Sequence, residues 1–285
     1  VKIILSRKGF DSSSGGVANP ILPDGRLQVL PIPDAAAPHA YAEIQRPGGN
    51  LGELVEDLTR RRLTRENRAH LDPDLDRAAL PRPRPWRPLF GQMGAAQGHL
   101  RAQGVGVGDI FLFFGWFREV ALGADGYHFQ RDSADRHIFH GWLQIGEMIE
   151  LSKHMPRKNS WLRDHPHCYG ERGGNNVLYV ASRQLSFSGL SRRLPGAGVF
   201  PRFHDALVLT WPGERRAIWR LPDWFHPQGR ASQLSYHATA KRWQPTPQGL
   251  RLDSAKRGQE FVLNGAHYPE ANAWLADLLE TGLKT

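Results

Sequence analysis

Apolar and polar positions alternate unevenly along the chain, and the densest apolar stretch comes as two runs, GVGVGDIFLFFGWF (Gly104 to Phe117) and HIFHGWLQIGEM (His137 to Met148). Both are short, rich in aromatic and β-branched residues, and bounded by Gly or Asp, which is the composition of strands rather than helices. The polar segment between them, Arg118 to Arg136, holds the turn signal Asp125-Gly126. The two runs are therefore expected to be antiparallel neighbours joined by a long loop. In the first run Ile110, Leu112 and Phe114 alternate with Phe111, Phe113 and then Trp116, so both faces are apolar and the strand is predicted to be central. In the second, Ile138, His140, Trp142 and Gln144 oppose Phe139, Gly141, Leu143 and Ile145. Trp116, His140, Trp142 and Gln144 are candidates for a pocket wall that stacks a planar ligand and hydrogen-bonds its edges. The same residues also fit an ordinary aromatic interior.

Around this spine the periodicity predicts a first strand at Val1 to Leu5 and a hairpin at Pro20 to Leu30, turned by Pro23-Asp24-Gly25. A helix is predicted over Leu51 to Leu63, with Asn50 as N-cap and Arg60-Arg61-Arg62 at its negative pole. Gln92 to Gln103 reads as a short helix and Leu80 to Pro88 as an extended connector. Later strands are expected at Val177 to Ala181, Ala206 to Thr210, Ala217 to Leu221 and Phe261 to Leu263, with a closing amphipathic helix over Pro269 to Leu279. No internal repeat or flexible linker interrupts the pattern. The expectation is one unit over residues 1–285, an α+β fold with flanking helices and a mixed, largely antiparallel sheet that is a candidate barrel.

Composition adds a charge bias to this picture. Lys and Arg outnumber Asp and Glu by 37 to 28, a formal net charge of +9 in 285 residues, and an excess of that sign favours polyanions such as nucleic acid or anionic small molecules. The excess falls mainly on Arg, whose planar fork suits phosphate and base edges. With Cys168 as the single cysteine, no intramolecular disulfide or Cys-rich zinc knuckle can form. Val1 to Leu5 precedes Arg7 and Lys8, the reverse of a secretory signal, and no run approaches the ~18 apolar residues of a membrane span. A soluble, cytoplasmic protein without membrane attachment is expected.

Two segments carry candidate chemistry. Ser6-Arg7-Lys8-Gly9-Phe10-Asp11-Ser12-Ser13-Ser14-Gly15-Gly16 follows the first strand with two cations, a carboxylate, hydroxyls and three glycines. Ser6, Arg7, Lys8, Ser12, Ser13, Gly15 and Gly16 are candidates for holding a phosphate, and Asp11 for a catalytic base or metal ligand. The Gly-x4-Gly-Lys-Ser/Thr order of a P-loop is absent, and a flexible polar turn remains the plain alternative. The second segment, Trp161 to Tyr169, brings His165, His167 and Cys168 together as candidate transition-metal ligands, although Pro166 lies between the imidazoles. Asp72, Asp74 and Asp76 alternate in LDPDLD, but the Gly and closing Glu of a calcium loop are missing, so this acidic run is read as non-metal.

The opening KIILSRKGFDSSSGG, with PILPDGRLQVLPIP, GVGVGDIFLFFGWF, HIFHGWLQIGE and KRGQEF, resembles the bacterial and phage family called nucleotide modification associated domain 3. The resemblance spans nearly the whole chain and is most specific in the opening block. It implies involvement in systems that modify DNA bases, with DNA or a nucleotide as partner and other components of such a system alongside. It supplies no reaction, cofactor or catalytic residue. The Gly-Val-Gly-Asp turn into an aromatic strand also resembles the matching passage of small PUA-like barrels, which read modified bases; that likeness is one of fold alone. Two functions follow as expectations: a module that binds a modified nucleotide or DNA base between an aromatic wall and a basic loop, or an enzyme of base modification or nucleotide processing, with or without a metal.

Overall fold

The period-two alternation of the first apolar run sorts its side chains onto two separate cores. Ile110, Leu112 and Phe114 join one cluster, with Ile3, Leu5 and Leu275, while Phe111 and Phe113 join another with Ile4, Phe90 and Tyr179. A strand buried on both faces has to lie inside a sheet. In a computed structural model, which describes residues 1–151, 157–170, 174–227 and 233–284, it does. The strand Ile110–Gly123 lies between Lys2–Arg7 and Arg136–Glu150 in a nine-stranded sheet.

The main path of that sheet runs Glu260–Asn264, Lys2–Arg7, Ile110–Gly123, Arg136–Glu150, Val177–Ala181, Leu89–Gln92. Three short strands attach to it: Asn19–Ile21 and Gly126–Phe129 on Ile110–Gly123, and Ala197–Val199 on Arg136–Glu150. Ile110–Gly123 pairs in parallel with Lys2–Arg7 and with Asn19–Ile21; every other pairing in the sheet is antiparallel. The fold is thus mixed α+β, with a mostly antiparallel sheet. Its path is open: among the described residues no pairing joins the end strands into a barrel. A three-stranded sheet (Ile218–Leu221, Gly249–Asp253, Trp243–Thr246) and two short ribbons complete the β structure.

Among the described residues three α-helices flank the sheets: α1, Leu51–Leu58; α2, Gly94–Ala102; and α3, Ala271–Gly282. Asn50 caps α1 as expected, its side-chain oxygen accepting from Gly52 N at 2.8 Å. The helix is one turn shorter than the pattern predicts because Arg60 and Arg61 take left-handed φ values of 53° and 57°. The apolar face of α3 buries Leu275, Leu278 and Leu279 in the first core. Among the described residues no helix is long and apolar enough to cross a membrane.

Other expectations change as well. The central strand begins at Ile110, because Gly104 and Gly108 have φ values of 62° and 92° and turn the chain into it. The expected long loop after Phe117 is mostly strand, since Ile110–Gly123 runs on and turns back through a two-residue hairpin at Ala124-Asp125 into Gly126–Phe129. The Pro23-Asp24-Gly25 turn forms, but its first arm, Asn19–Ile21, pairs with the central strand, and only an Ile21–Leu27 bridge joins the arms. Asp205–Leu207 is a 3-10 turn where a strand was expected.

The change with most consequence is in Arg136–Glu150. A bulge between Phe139 and Gly141 shifts its register against Ile110–Gly123, and the extra residue breaks simple alternation. Phe139 and Trp142 consequently both enter the first core. His140 instead lies nearly parallel to Phe113, a member of the second core, with ring centroids 6.2 Å apart.

Candidate functional site

The two parallel neighbours of Ile110–Gly123 part beside a cleft that Arg7 and Glu119 line. Lys2–Arg7 follows that strand as far as Phe114, and Asn19–Ile21 takes over from Phe117. Between these registers the chain loops out through residues 8–18. Gly115 sits under the loop so closely that a Cβ there would lie 2.8 Å from the Lys8 carbonyl oxygen. Buried Asn19 ties the split together: its Nδ2 donates to Trp116 O at 2.8 Å, and its Oδ1 accepts from Leu30 N at 2.8 Å. The split leaves Trp116 half-buried, not sealed in the sheet.

The cleft measures ≈ 1120 Å³, and its charged lining holds six cationic residues (Arg7, Arg136, Arg215, Arg216, Arg220, Lys256) against four acidic ones (Glu119, Asp135, Asp205, Glu214). It is therefore net positive. Arg136 and Arg215 are paired, with Glu119 at 2.7 Å and Asp253 at 3.3 Å. Arg7 and Arg216 instead donate to uncharged groups, the Gly258 carbonyl at 3.3 Å and the Ser12 hydroxyl at 2.7 Å. The Arg216 guanidinium also lies 4.1 Å from the centre of the Trp116 ring. Trp116 is fixed at its edge, where Nε1 donates to Asp135 Oδ1 at 2.7 Å.

His137 lines the same cleft from the start of its strand. Trp219 Nε1 donates to its Nδ1 at 3.0 Å, which assigns the ring proton to Nε2. Burial, reinforced by Arg7 and Arg216, pushes the His137 pKa down to about 3. The cleft thus offers two guanidiniums and a neutral imidazole, and one of those guanidiniums, Arg216, covers the neighbouring Trp116 indole.

The loop residues divide between this cleft and the interior. Arg7 lines the cleft, and Ser12 meets it through its bond from Arg216. Lys8 turns inward to pair with buried Glu260 at 2.7 Å, its ammonium lying 4.6 Å from the Phe90 ring centre. Ser6 is buried and its hydroxyl is unpartnered among the described residues. Asp11 organises the turn: its Oδ1 accepts from Ser13 N, Ser13 Oγ and Ser14 N at 2.7 to 2.8 Å, and its carbonyl accepts from Gly16 N at 2.9 Å. Burial opposes its ionisation, but these bonds and Arg7 outweigh it and hold the Asp11 carboxyl below its usual range. The amides of Ser13, Ser14 and Gly16 are thus engaged inside the loop. Gly15, with φ 83°, packs where a Cβ would strike the Phe10 ring, and Gly16 lies against the Arg62 guanidinium.

Trp116, His140, Trp142 and Gln144 are not brought together. Trp142 is buried, donates from Nε1 to Pro195 O at 3.1 Å and packs on Phe200. Gln144 is also buried, its Nε2 donating to Gly108 O at 2.9 Å while its Oε1 accepts from Ser186 N at 2.9 Å. His140 lines a smaller cavity of ≈ 220 Å³, which Asp72 also lines. Its Nε2 is buried and has no partner among the described residues, and burial pushes its pKa to about 3.

The second predicted segment leads to a different centre. Pro166–Cys168 is a single 3-10 turn capped by His165, whose Nδ1 accepts from His167 N at 3.3 Å. His165 Nε2 then donates to Asp72 Oδ1 at 3.2 Å. His167 and His70 approach the other oxygen of the same carboxylate, Nε2 to Oδ2, at 3.5 and 3.8 Å. Burial opposes ionisation of Asp72, but the hydrogen bond from His165, with the His167 and His70 rings alongside, holds its carboxyl well below the usual range. Cys168 is set apart, half-buried against the cluster of Trp86, Leu162 and Leu178. Among the described residues the group with metal-ligand spacing is His70, Asp72 and His167. Of the predicted trio it contains His167 alone.

Sequence reasoning passed over Arg216, Asp72 and His70 as site residues. Arg216 stands in a plain dibasic pair after a Trp-Pro-Gly turn, and LDPDLD was measured against a calcium loop alone. The spacing His70-x-Asp72 was the available signal. The three acids of that run do three separate things: Asp72 meets the histidines, Asp74 pairs with Arg82 at 2.5 Å, and Asp76 caps a 3-10 turn by accepting from Ala78 N.

The family model for nucleotide modification associated domain 3 matches residues 2–264. No curated protein and no solved structure matches the chain.

Proposed function

Because the chain belongs to the nucleotide modification associated domain 3 family, we propose that the basic cleft binds a nucleotide or a single strand of DNA, with a base stacked on Trp116 and phosphate held by Arg7 and Arg216. The observation behind this reading is the contact between Arg216, Trp116 and Ser12: one guanidinium lies 4.1 Å from the indole centre and 2.7 Å from the loop hydroxyl. A cation over an aromatic face beside a polar loop has the elements that track a single-stranded backbone and stack its bases. Arg suits this role because its planar fork bonds phosphate oxygens while its face packs on a ring. His137, neutral and carrying its proton on Nε2, contributes a donor without adding charge.

Within this reading, Arg7, Ser12 and the turn organised by Asp11 form the phosphate side of the cleft. Gly15 and Gly16 permit the backbone path of that turn. Lys8 and Ser6 support from behind, and Trp142 and Gln144 shape the strand that carries His137. The enzymatic alternative, base modification or nucleotide processing, draws on His137 as a donor to a developing anion beside two guanidiniums. The chain would then work beside other components of a modification system.

Anisotropy of a labelled single-stranded oligonucleotide, titrated with the full chain across a salt series, tests the reading. Affinity is expected to fall steeply with salt, to weaken on Trp116→Ala, and to lose part of its salt dependence on Arg216→Ala. Salt-independent binding, or binding unchanged by both variants, would remove the cleft as the site.

A further inference from the structure

The interior cluster around Asp72 has an electrostatic gap that its own protons do not fill. His70 Nδ1 lies 2.8 Å from Asp34 Oδ2, an acceptor when ionised, so Nδ1 carries the proton and the neutral ring leaves a lone pair on Nε2. His167 Nδ1 lies 2.7 Å from Asn176 Oδ1. That amide is oriented by its Nδ2, which donates to His167 O at 3.1 Å, so His167 Nδ1 also carries a proton and its Nε2 a lone pair. Both Nε2 atoms face Asp72 Oδ2. Asp72 Oδ1 is already engaged, accepting from Gly91 N at 2.8 Å and from His165 Nε2. Three electron-rich atoms, two imidazole nitrogens and one carboxylate oxygen, therefore converge with all three ligand atoms within 4.8 Å of one another.

We propose that His70, Asp72 and His167 form a mononuclear site for a divalent first-row transition-metal ion such as zinc, held by His70 Nε2, His167 Nε2 and Asp72 Oδ2. Bonds of about 2.0–2.2 Å in a tetrahedral arrangement set ligand atoms roughly 3.3–3.6 Å apart. The observed approaches of 3.5 and 3.8 Å are close to that range. Two nitrogens and a carboxylate with a further position open is a donor set used by catalytic zinc and by non-haem iron(II). The surrounding bonds match what such ligands need: each imidazole is oriented through its other nitrogen, by Asp34 or Asn176, and the spare carboxylate oxygen is saturated by Gly91 and His165. Gly91 is part of the fit, since a Cβ there would stand 2.5 Å from the His167 ring. The site is distinct from the nucleotide cleft and does not depend on it.

The test uses the full chain, treated with chelator and titrated with cobalt(II), read by visible d–d absorption and checked by elemental analysis. The expected result is one saturable equivalent of cobalt, displaced by zinc, with zinc also raising the melting temperature of the chelator-treated chain. His70→Ala should weaken uptake by more than about a hundredfold, because outer partners alone account for about 10–100-fold and Asp34→Asn is expected to fall within that range. Cys168→Ser should leave the cobalt spectrum unchanged. Absence of saturable uptake by the wild-type chain overturns the site, whatever the variants do. So does uptake that survives both His70→Ala and His167→Ala in variants whose circular dichroism matches the wild type.

Discussion

At the cleft, His137 sits among cations, Arg7 and Arg216, with Trp219 donating to its Nδ1. In the interior, His70, His165 and His167 surround an anion, Asp72. The same side chain is used in both places, and its neighbours decide which ligand is attracted. Arginines around a neutral imidazole, with an indole alongside, are the setting proposed for an anion and a planar ring. Lone pairs gathered at a carboxylate oxygen are the setting proposed for a cation. The two regions also differ in burial: the cleft's charges reach solvent and are screened by salt, whereas the Asp72 carboxylate is largely withdrawn from it, 5% exposed, so its bonds are costly to lose.

The comparison is broken most sharply by acid. His137 and His140 titrate near 3 in the folded chain, against about 6.5 for an unfolded histidine. Below about pH 6.5 the unfolded chain therefore binds protons that the folded chain refuses, so stability falls with pH through the window from about 6.5 to 3. For these two rings together the loss between pH 6 and pH 4 is expected to be about 5 kcal/mol. Urea unfolding across that range checks it, and His137→Gln should make the pH slope shallower by about 1.4 kcal/mol per unit. An unchanged slope would mean that His137 is not held neutral.

Asp72→Ala comes next, with an expected loss of about 3–5 kcal/mol of unfolding free energy, because Gly91 N–H and His165 Nε2–H lose a buried acceptor. Trp116→Ala should act on the other region alone: single-strand affinity falls by about 1–3 kcal/mol while the urea midpoint hardly moves. If it destabilises the fold as much as Asp72→Ala does, the cleft and the interior are not separable. The smallest effect belongs to Arg7→Gln, which should reduce the slope of log affinity against log salt by about one and weaken all sequences alike.

Where a decision is local, the residues announce it. Asn50 caps α1 because a side-chain oxygen needs only the amide two residues on. The central strand is legible because Ile110 to Phe114 alternate into two cores. The position of Trp142 was not legible: the bulge after Phe139 is chosen by pairing with another strand, and one extra residue changes which core receives each side chain. Lys8 reads as a phosphate ligand beside Arg7, yet its partner is Glu260, 252 residues away. The metal-spaced cluster escaped for the same reason, since His167 meets His70 and Asp72 only through the fold. The basic loop and its neighbour Trp116 were both visible in the chain, but the residue that joins them, Arg216, comes from a segment with no motif of its own.

The central claim is that a base stacks on Trp116 in the basic cleft, and photocrosslinking reads it most directly. A single-stranded oligonucleotide carrying bromodeoxyuridine, bound to the full chain and irradiated, is digested and the crosslinked peptide mapped by mass spectrometry. The account predicts attachment at Trp116, competed by unlabelled strand and abolished by Trp116→Ala. Crosslinks confined to other surfaces, such as the Arg60-Arg61-Arg62 end of α1, would contradict it.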